Sequence, residues 1–561
     1  MVALVLSLGV ANAFADTETA KDAGNFSVNI TNNDSNTGHK YVAYQVFAGD
    51  LVEKTDATAT GTGANLVLSN IVWGTGVDGD AIVSELAGLT SPNPLAGLFT
   101  SNMTAADVAA KLDGVGDDTA VAQAFAEVVQ NHLNTTNKIE GNATSVTGLN
   151  GGYYFIQDEG TMATDTEHPG ALTRYILQVV HSVNVTQKAN VPQIDKKTKN
   201  KNDSTGDVTE WQNTADYDVG DTVPFQITGT LPSNFAEYDY FKTYTMTDTL
   251  SAGLTAPTAD GISIKVGDTS VKDHFDINFD GQKIIISLKS GEDLKTWNAP
   301  ALSKDSKFVV EYSAVLNESA VSGTTGNKNE VTLTFSNNPN ADGEGSFDTT
   351  PPSTVIVFTY DLNVGKVDGA NQPLDGARFA LYKKFKSEAD LAAANASRAD
   401  GKKYVAVTEG KVTYDEGRQT YNFVAGAGEV WALVTEITTG TTFAFDGIDA
   451  GSYVLVETAT PSGYNSVAPY AFEVTAELDD ANKTVLKING KANGETVDLG
   501  SLSAQVVLTT TEGSLNTSVV NNSGTTLPST GGIGTTIFYA VGGVLVLAAI
   551  ILLVTKKRMS E

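Results

Sequence analysis

Short runs in which apolar and polar residues alternate recur along this 561-residue chain, and they restrict its fold more than any other feature. Examples are FSVNI at 26–30, VTLTF at 331–335 and SYVLV at 452–456, in a chain punctuated by Gly, Asn, Asp and Pro. A period of two places successive side chains on opposite faces of a strand. Many short strands separated by turn residues are typical of immunoglobulin-like sandwiches. The sequence therefore predicts a mainly β chain of tandem β-sandwich domains.

One region has a different period. Residues 79–88, 104–112 and 118–134 carry apolar side chains at helical spacing, and the last segment is rich in alanine. These segments predict a helical insertion in the first domain.

An internal repeat relates the first and last domains. GLNGGYYFI at 148–156 parallels GIDAGSYVL at 447–455, which indicates two versions of one sandwich. Prolines at 192 and 351–352 suggest linkers. The predicted domains are 16–187, 188–352 and 353–524, between a signal peptide at 1–15 and a terminal segment at 525–561.

Composition excludes several classes of function. The formal net charge of −30 repels nucleic-acid phosphates, so no nucleic-acid partner is expected. The chain has no cysteine, which removes disulfides, thiolate metal sites and cysteine nucleophiles. Its five histidines lack metal-ligand spacing. We expect no metal or other cofactor and no enzymatic activity; a surface hydrolase would need an exposed catalytic pair, and none is recognisable.

The two ends predict secretion and attachment to the cell wall. Residues 2–15 form an apolar run ending in Ala-Phe-Ala, as in a secretory signal peptide. An apolar stretch at 537–554 is long enough to cross a membrane and is followed by a basic tail. Before it stands the pentapeptide of Leu527, Pro528, Ser529, Thr530 and Gly531. Together these parts resemble a Gram-positive sorting signal, which implies cleavage after Thr530 by a sortase, a temporary membrane anchor and transfer to peptidoglycan.

The last domain places ionisable side chains in apolar strands. Alternation puts Lys366 on the inward face with Leu362 and Val364, and Glu457 also lies within an apolar strand. Unpaired buried charges are unfavourable. With Asn521 in the final strand, the pattern resembles the collagen-adhesin B-type domain, which implies a spontaneous Lys366–Asn521 isopeptide bond assisted by Glu457. Asn522 is the alternative acceptor.

The middle domain contains a similar set. Lys196 shares the face of Ile194, Asp248 lies on the inward face of a strand, and Asn329 lies on the face of an apolar strand. This pattern resembles the second domain of isopeptide-forming fimbrial backbone proteins, of collagen-adhesin A/B type, and implies Lys196, Asp248 and Asn329 as its triad. Asn327 has the same parity as Asn329 and remains the alternative.

The first domain departs from this pattern. Aligning 26–30 with 362–366 places Ile30 where the lysine should be, and Asp158 falls near the position of the acid. We predict that Asp158 has no partner and that the domain forms no isopeptide bond.

Lys188 lies where the first domain ends, at the position of the pilin-motif lysine in major pilins of sortase-assembled fimbriae. The resemblance implies a backbone pilin polymerised between Thr530 and Lys188, with identical subunits, a sortase and peptidoglycan as partners. It leaves minor tip or base pilins and a host ligand open. A wall-anchored adhesin that does not polymerise is the alternative, and it would not need Lys188.

Overall fold

The computed structural model describes residues 25–32, 36–53, 66–113, 115, 120–162, 168–187, 191–340, 344–399, 401–407, 413–415, 420–423 and 426–524. The predicted signal peptide, the sorting signal and Lys188 lie outside these residues. No helix among the described residues is long and apolar enough to cross a membrane, and the predicted span 537–554 is not among them.

The N-terminal domain consists of two sheets and the predicted helical insertion. Its strands are β1 (Phe26–Thr31), β2 (Tyr41–Glu53), β3 (Leu66–Trp73), β4 (Ile139–Glu140), β5 (Ser145–Leu149), β6 (Gly152–Asp158), β7 (Arg174–Val179) and β8 (Val183–Thr186). The sheet orders are β5-β1-β8 and β3-β2-β6-β7, with β4 on β2. Helices α1 (Gly79–Gly88), α2 (Ala105–Leu112) and α3 (Ala120–Asn131) bury apolar faces against the second sheet. The prediction of this insertion is confirmed.

The middle domain is a sandwich of two larger sheets. Its strands are β9 (Ile194–Thr198), β10 (Thr214–Asp216), β11 (Thr222–Thr230), β12 (Tyr244–Leu250), β13 (Leu254–Thr255), β14 (Ser263–Val266), β15 (Thr269–Ser270), β16 (Phe275–Asp280), β17 (Lys283–Leu288), β18 (Lys307–Leu316), β19 (Asn327–Ser336), β20 (Phe347–Thr349) and β21 (Ser353–Phe358). One sheet has the order β10-β21-β19-β12-β17-β16, with β20 on β19, and the other has β15-β14-β18-β11-β9, with β13 on β18. Alternate residues of the central strands fill the core between them, as the period of two requires.

The C-terminal domain begins at the next strand. Its elements are β22 (Tyr360–Asp368), β23 (Arg378–Phe385), α4 (Glu388–Ala396), β24 (Val405–Ala406), β25 (Thr413–Asp415), β26 (Thr420–Asn422), β27 (Val430–Ile437), β28 (Thr442–Ile448), β29 (Gly451–Ala459), β30 (Tyr470–Val474), β31 (Ala476–Asp479), β32 (Thr484–Ile488), β33 (Thr496–Leu499), β34 (Leu502–Leu508) and β35 (Gly513–Asn521). Its two larger sheets have the orders β28-β22-β35-β34-β33 and β24-β27-β23-β29-β30. The prediction of a mainly β chain is thus confirmed.

Strand pairing differs from the predicted division at 352/353. Strand β21 pairs with β19 and β10 of the middle domain, whereas β22 pairs with β28 and β35 of the C-terminal domain. Only Thr359 separates β21 from β22. By pairing, the division therefore lies at Thr359, because residues 353–358 complete the middle sheet. The prolines at 351–352 precede that strand and do not mark the linker.

The predicted repeat recurs in three dimensions. Tyr154 Oη donates to the carbonyl of Asn150 at 3.1 Å, and Tyr453 Oη donates to that of Asp449 at 3.1 Å. The turns before these tyrosines contain Gly148 with φ 76° and Gly447 with φ 74°, a left-handed conformation that favours glycine. The repeated residues therefore build the same corner at the start of β6 and of β29.

Candidate functional site

The middle domain brings Lys196, Asp248 and Asn329 together across its core. Lys196 projects from β9 of one sheet, while Asp248 on β12 and Asn329 on β19 project from the other. All three are fully buried. Lys196 Nζ donates to Asp248 Oδ1 at 2.5 Å, and the carboxamide of Asn329 reaches the same cluster through Tyr312 of β18. The set therefore spans the two layers of the sandwich.

Tyr312 is the member that the sequence did not reveal. Its Oη donates to Asp248 Oδ2 at 2.5 Å and accepts from Lys196 Nζ at 3.0 Å and from Asn329 Nδ2 at 2.7 Å. In the sequence it is one inward residue of the alternating strand at 307–316. Nothing in that alternation distinguishes a tyrosine that only packs in the core from one that contacts a lysine and an amide.

Burial determines the electrostatics of this site. Desolvation lowers the pKa of Lys196 to about 8, although the neighbouring Asp248 carboxylate acts in the opposite direction. An appreciable fraction of the amine is therefore unprotonated, and hence nucleophilic, near neutral pH. Burial also raises the pKa of Tyr312 well above its usual value, so its hydroxyl keeps its proton.

The two candidate acceptors in this strand have different surroundings. Asn327 Nδ2 donates to the carbonyls of Val321 and Val357, and its Oδ1 accepts from the Val321 amide. Its side chain thus holds backbone at the end of the sandwich. Asn329 instead faces the lysine cluster, and its Oδ1 is buried without a hydrogen-bond partner among the described residues. The geometry favours Asn329 over Asn327.

The C-terminal domain brings its acid and amide into direct contact. Asn521 Nδ2 donates to Glu457 Oε1 at 2.8 Å and Oε2 at 3.0 Å. Lys366 lies on β22, which runs parallel to β35 with Lys366 opposite Val519, so Asn521 follows two residues later on the same face. Lys366 Nζ donates to the carbonyls of Val367 and Val519, at 2.9 and 3.2 Å. The amine is therefore held beside the acceptor strand.

Burial again favours the uncharged forms of the ionisable pair. Desolvation lowers the pKa of Lys366 and raises the pKa of Glu457. Lys366, Glu457 and Asn521 are almost completely buried, whereas the alternative acceptor Asn522 is exposed. The structure therefore places Asn521, and not Asn522, at the acid.

The prediction that Asp158 in the N-terminal domain has no partner was wrong. Its Oδ2 lies 2.6 Å from His39 Nδ1, and its Oδ1 accepts from the backbone amides of Lys40 and Gly160 at 3.0 Å. The residues lie 119 positions apart, and the pairing of β2 with β6 brings them together. Ile30 is a buried core residue, so a hydrocarbon side chain stands at the position aligned with Lys366.

A second buried ionic cluster lies between the middle and C-terminal domains. It consists of Lys383, Asp203, Asp218 and Asp449, and we call it the Lys383 cluster. Lys383 Nζ donates to all three carboxylates, at 3.2 Å from Asp203, 2.7 Å from Asp449 and a shorter distance from Asp218. All four side chains are buried. Asp203 and Asp218 belong to the middle domain, so this one ammonium joins two domains.

Asp221 extends the cluster toward Arg398, whose Nη2 donates to Asp221 Oδ1 at 2.9 Å. Among the described residues, Asp203, Asp218, Asp221 and Asp449 are the acidic group close enough together to hold a metal ion. The ammonium of Lys383 already contacts three of these carboxylates. The lysine therefore supplies the positive charge that a metal would bring.

Raising the pH from about 5 to about 8 is expected to lower the free energy of unfolding of this two-domain unit. Desolvation and the nearby Asp218 raise the pKa of Asp221 to about 7, against the opposing charges of Arg398 and Lys383. The folded state thus holds a proton that the unfolded state releases near pH 4, and folding stability falls as pH rises through about 7.

The check is denaturant unfolding of the wild-type chain and of Asp221→Asn across this pH range. The variant should show a weaker pH dependence. The free energy of unfolding of the variant should still change with pH, because burial also raises the pKa of Asp449 and of Asp216. The remaining ionisable neighbours, Asp203 and Tyr404, are present in both proteins. Identical pH profiles would contradict the role of Asp221.

Comparisons with known proteins agree with this architecture. Residues 360–492 match a prealbumin-like fold domain, and residues 519–561 match the LPXTG cell wall anchor motif. The trypsin-resistant surface T6 protein of Streptococcus pyogenes is 25% identical over 411 residues, covering 66% of this chain and 70% of that protein. The fimbrial subunit type 2 of Actinomyces naeslundii is 28% identical over 298 residues, covering 50% and 51%.

Two solved structures are similar in outline. The T6 backbone pilin of Streptococcus pyogenes aligns with a TM-score of 0.44 and 15% identity, covering 90% of this chain and all of that one. The full-length major pilin SpaD of Corynebacterium diphtheriae aligns with a TM-score of 0.42 and 18% identity, covering 90% and 98%.

The anchor motif and the tandem sandwiches define a class, the cell-wall-anchored surface proteins of Gram-positive bacteria. Within that class, the resemblance to sortase-assembled major pilins is confirmed. The chain is a pilus subunit with a structural rather than an enzymatic role.

Proposed function

We propose that this chain is the backbone subunit of a covalently polymerised surface fimbria, and that two of its domains cross-link themselves. The observation that carries the cross-linking is the pair of buried lysine, acid and asparagine sets, Lys196–Asp248–Asn329 and Lys366–Glu457–Asn521. Both sets lie inside sandwich cores, where no cofactor is needed. An amide bond consumes the buried amine, and so removes a charge that is unfavourable in a core.

The proposed reaction is an exchange of one amide for another. The neutral lysine Nζ attacks the asparagine Cγ, the new C–N bond forms, and the bond from Cγ to Nδ2 breaks. One proton leaves the amine and one arrives on Nδ2, so ammonia departs and the acid is regenerated. Exclusion of water from the cores protects the reacting groups and strengthens their electrostatic contacts.

The positions of the two bonds suit a fibre under tension. Lys196 lies on the first strand of the middle domain and Lys366 on the first strand of the C-terminal domain. Asn521 ends the last strand of the C-terminal domain, and Asn329 lies on β19, two strands before the end of the middle domain. A noncovalent domain has only about 5–15 kcal/mol of stability, and forced unfolding follows its unfolding rate. Side-chain amides at these positions carry the load through covalent bonds and hold most of each domain out of the extending path.

We further propose that a sortase joins Thr530 of one subunit to Lys188 of the next, and that peptidoglycan receives the end of the polymer. The support is the sorting motif at 527–531 and the position of Lys188 between the last strand of the N-terminal domain and β9 of the middle domain. The flanking residues are held in place: Gln187 donates to the carbonyl of Ala171 at 3.1 Å, and Val191 packs on the middle core.

Lys188→Ala is expected to abolish the high-mass ladder of covalent polymers in cell-wall extracts, because the acyl group on Thr530 then lacks its amine acceptor. The measurement is denaturing electrophoresis with an antibody against the chain. Lys328→Ala removes an exposed lysine from β19 and is the matched control, with a normal ladder. A ladder that persists in Lys188→Ala would contradict this acceptor, and wall-attached monomer in the wild type would favour the non-polymerising adhesin.

A further inference from the structure

Tyr312 occupies the centre of the middle-domain set. Its hydroxyl contacts Lys196 Nζ, Asp248 Oδ2 and Asn329 Nδ2, the nucleophile, the acid and the leaving group of the proposed reaction. Asp248 itself makes no hydrogen bond to Asn329 among the described residues. The acid therefore reaches the amine directly, but it reaches the amide through the tyrosine.

In the part of the C-terminal domain that the structure describes, no side chain stands between the acid and the amide of the set. There both carboxyl oxygens of Glu457 accept from Asn521 Nδ2, so the acid contacts the leaving group directly. The acid side chain differs between the two sets by one methylene. The shorter aspartate is paired with a phenol that covers the remaining distance.

We propose that Tyr312 is a catalytic residue of the middle-domain cross-linking reaction and relays a proton from Asp248 to the departing nitrogen of Asn329. This role rests on the proposed function. As Nζ bonds to Cγ, Nζ gives one proton to Asp248 Oδ1. Tyr312 gives its own proton to Nδ2, and Asp248 passes the proton that it took from Nζ on to Tyr312 Oη. The Cγ–Nδ2 bond breaks, ammonia leaves, and the carboxyl and hydroxyl groups end with the protons they began with.

The surroundings of Tyr312 suit a relay. Its ring packs 5.4 Å from that of Phe225, which fixes the hydroxyl among its three partners. Because burial keeps the phenol protonated, it always has a proton to donate. Attack on Cγ makes Nδ2 pyramidal, and its lone pair then turns toward the hydroxyl that its N–H contacted before. General acid–base help of this kind contributes about 100-fold or more to a rate.

The test is a time course of intact mass during cell-free synthesis of the full chain. Tyr312→Phe keeps the ring and removes the relay, so the middle-domain ammonia should be lost at least about 100-fold more slowly. The C-terminal bond forms in the same molecule and serves as the internal reference. Tyr244→Phe is the matched control, because it removes another buried hydroxyl of this core, one that donates to the Thr230 carbonyl at 3.2 Å.

The outcomes separate the relay from the proposed function. Slow loss in Tyr312→Phe with a normal rate in Tyr244→Phe supports the relay. Equal rates in Tyr312→Phe and the wild type overturn it while leaving the cross-link intact. A wild-type chain whose mass equals that of the Lys196→Ala variant, after allowing for the substitution, lacks the bond, which overturns both.

Discussion

Glu457→Gln is expected to leave the C-terminal domain without its cross-link, so that the purified chain retains one ammonia more than the wild type. Glutamine has nearly the same size as glutamate and can still contact Thr460 Oγ1 and the Asn521 side chain, but it cannot exchange protons with the amine and the leaving group. Asp248→Asn should do the same in the middle domain. The double variant should retain both ammonias.

The same variants measure what the bonds contribute to stability. The bonds close loops of about 130 and 150 residues, which corresponds to about 5 kcal/mol each in the chain-entropy treatment. We expect the unfolding transition of the affected domain to move to a lower denaturant concentration. The transition of the other domain should stay at the concentration found for the wild type. The near-isosteric substitutions make this difference attributable mainly to the cross-link rather than to a cavity.

Two kinds of control sharpen this experiment. Glu473→Gln alters an exposed glutamate on the neighbouring strand β30 and should leave the mass pattern unchanged. Asn522→Ala and Asn327→Ala should also lose two ammonias, because neither side chain faces the lysine. Loss of both ammonias in Glu457→Gln would contradict its role, and a bond that disappears in Asn327→Ala but persists in Asn329→Ala would reverse the choice of acceptor.

Lys383→Ala is expected to destabilise the contact between the middle and C-terminal domains by about 3–5 kcal/mol, because it leaves three buried carboxylates without their shared cation. Removing one member of a buried ionic set exposes the others to unscreened repulsion. Denaturant unfolding measures the loss. Proteolysis near Thr359, where one residue separates the two domains, reports whether they have come apart.

The neighbouring residue supplies the matched control. Lys384 points to the other side of β23, contacts Glu429 at 3.3 Å and is about one-third exposed, so Lys384→Ala should change stability by about 0–1 kcal/mol. A further variant tests the cause. A triple variant combines Lys383→Met with Asp218→Asn and Asp449→Asn. It has less uncompensated negative charge in the cluster, so it should recover part of the stability lost in Lys383→Ala. Equal free energies of unfolding for Lys383→Ala and Lys384→Ala would show that the Lys383 cluster does not hold the two domains together.

Local sequence patterns were sufficient to predict much of the fold and the two buried lysines. Alternation placed Lys196 and Lys366 inside, and both are fully buried. Helical spacing located α1, α2 and α3, and the repeated Gly and Tyr located the same corner in two domains. Each of these inferences uses a period of two or 3.6 residues or a single turn, so it depends on neighbours in the chain.

Other features depended on strands that are distant in sequence. Parity alone could not separate Asn329, the predicted acceptor, from its alternative Asn327. Their tertiary contacts differ, because Asn329 reaches Tyr312 of the opposite sheet and Asn327 donates to the carbonyl of Val357 in its own sheet. The sequence predicted no partner for Asp158, whereas the pairing of β2 with β6 brings Asp158 into contact with His39. Tyr312 and the Lys383 cluster were not found at all.

The sequence by itself therefore determined which face of each strand is buried, and with it the sandwich fold and the lysines that must be explained. Only the tertiary structure decided which acid, amide or hydroxyl each buried amine meets. The physical reason is that side-chain direction follows from the local backbone period, while contact between side chains depends on how two sheets and two domains pack across more than a hundred residues of chain.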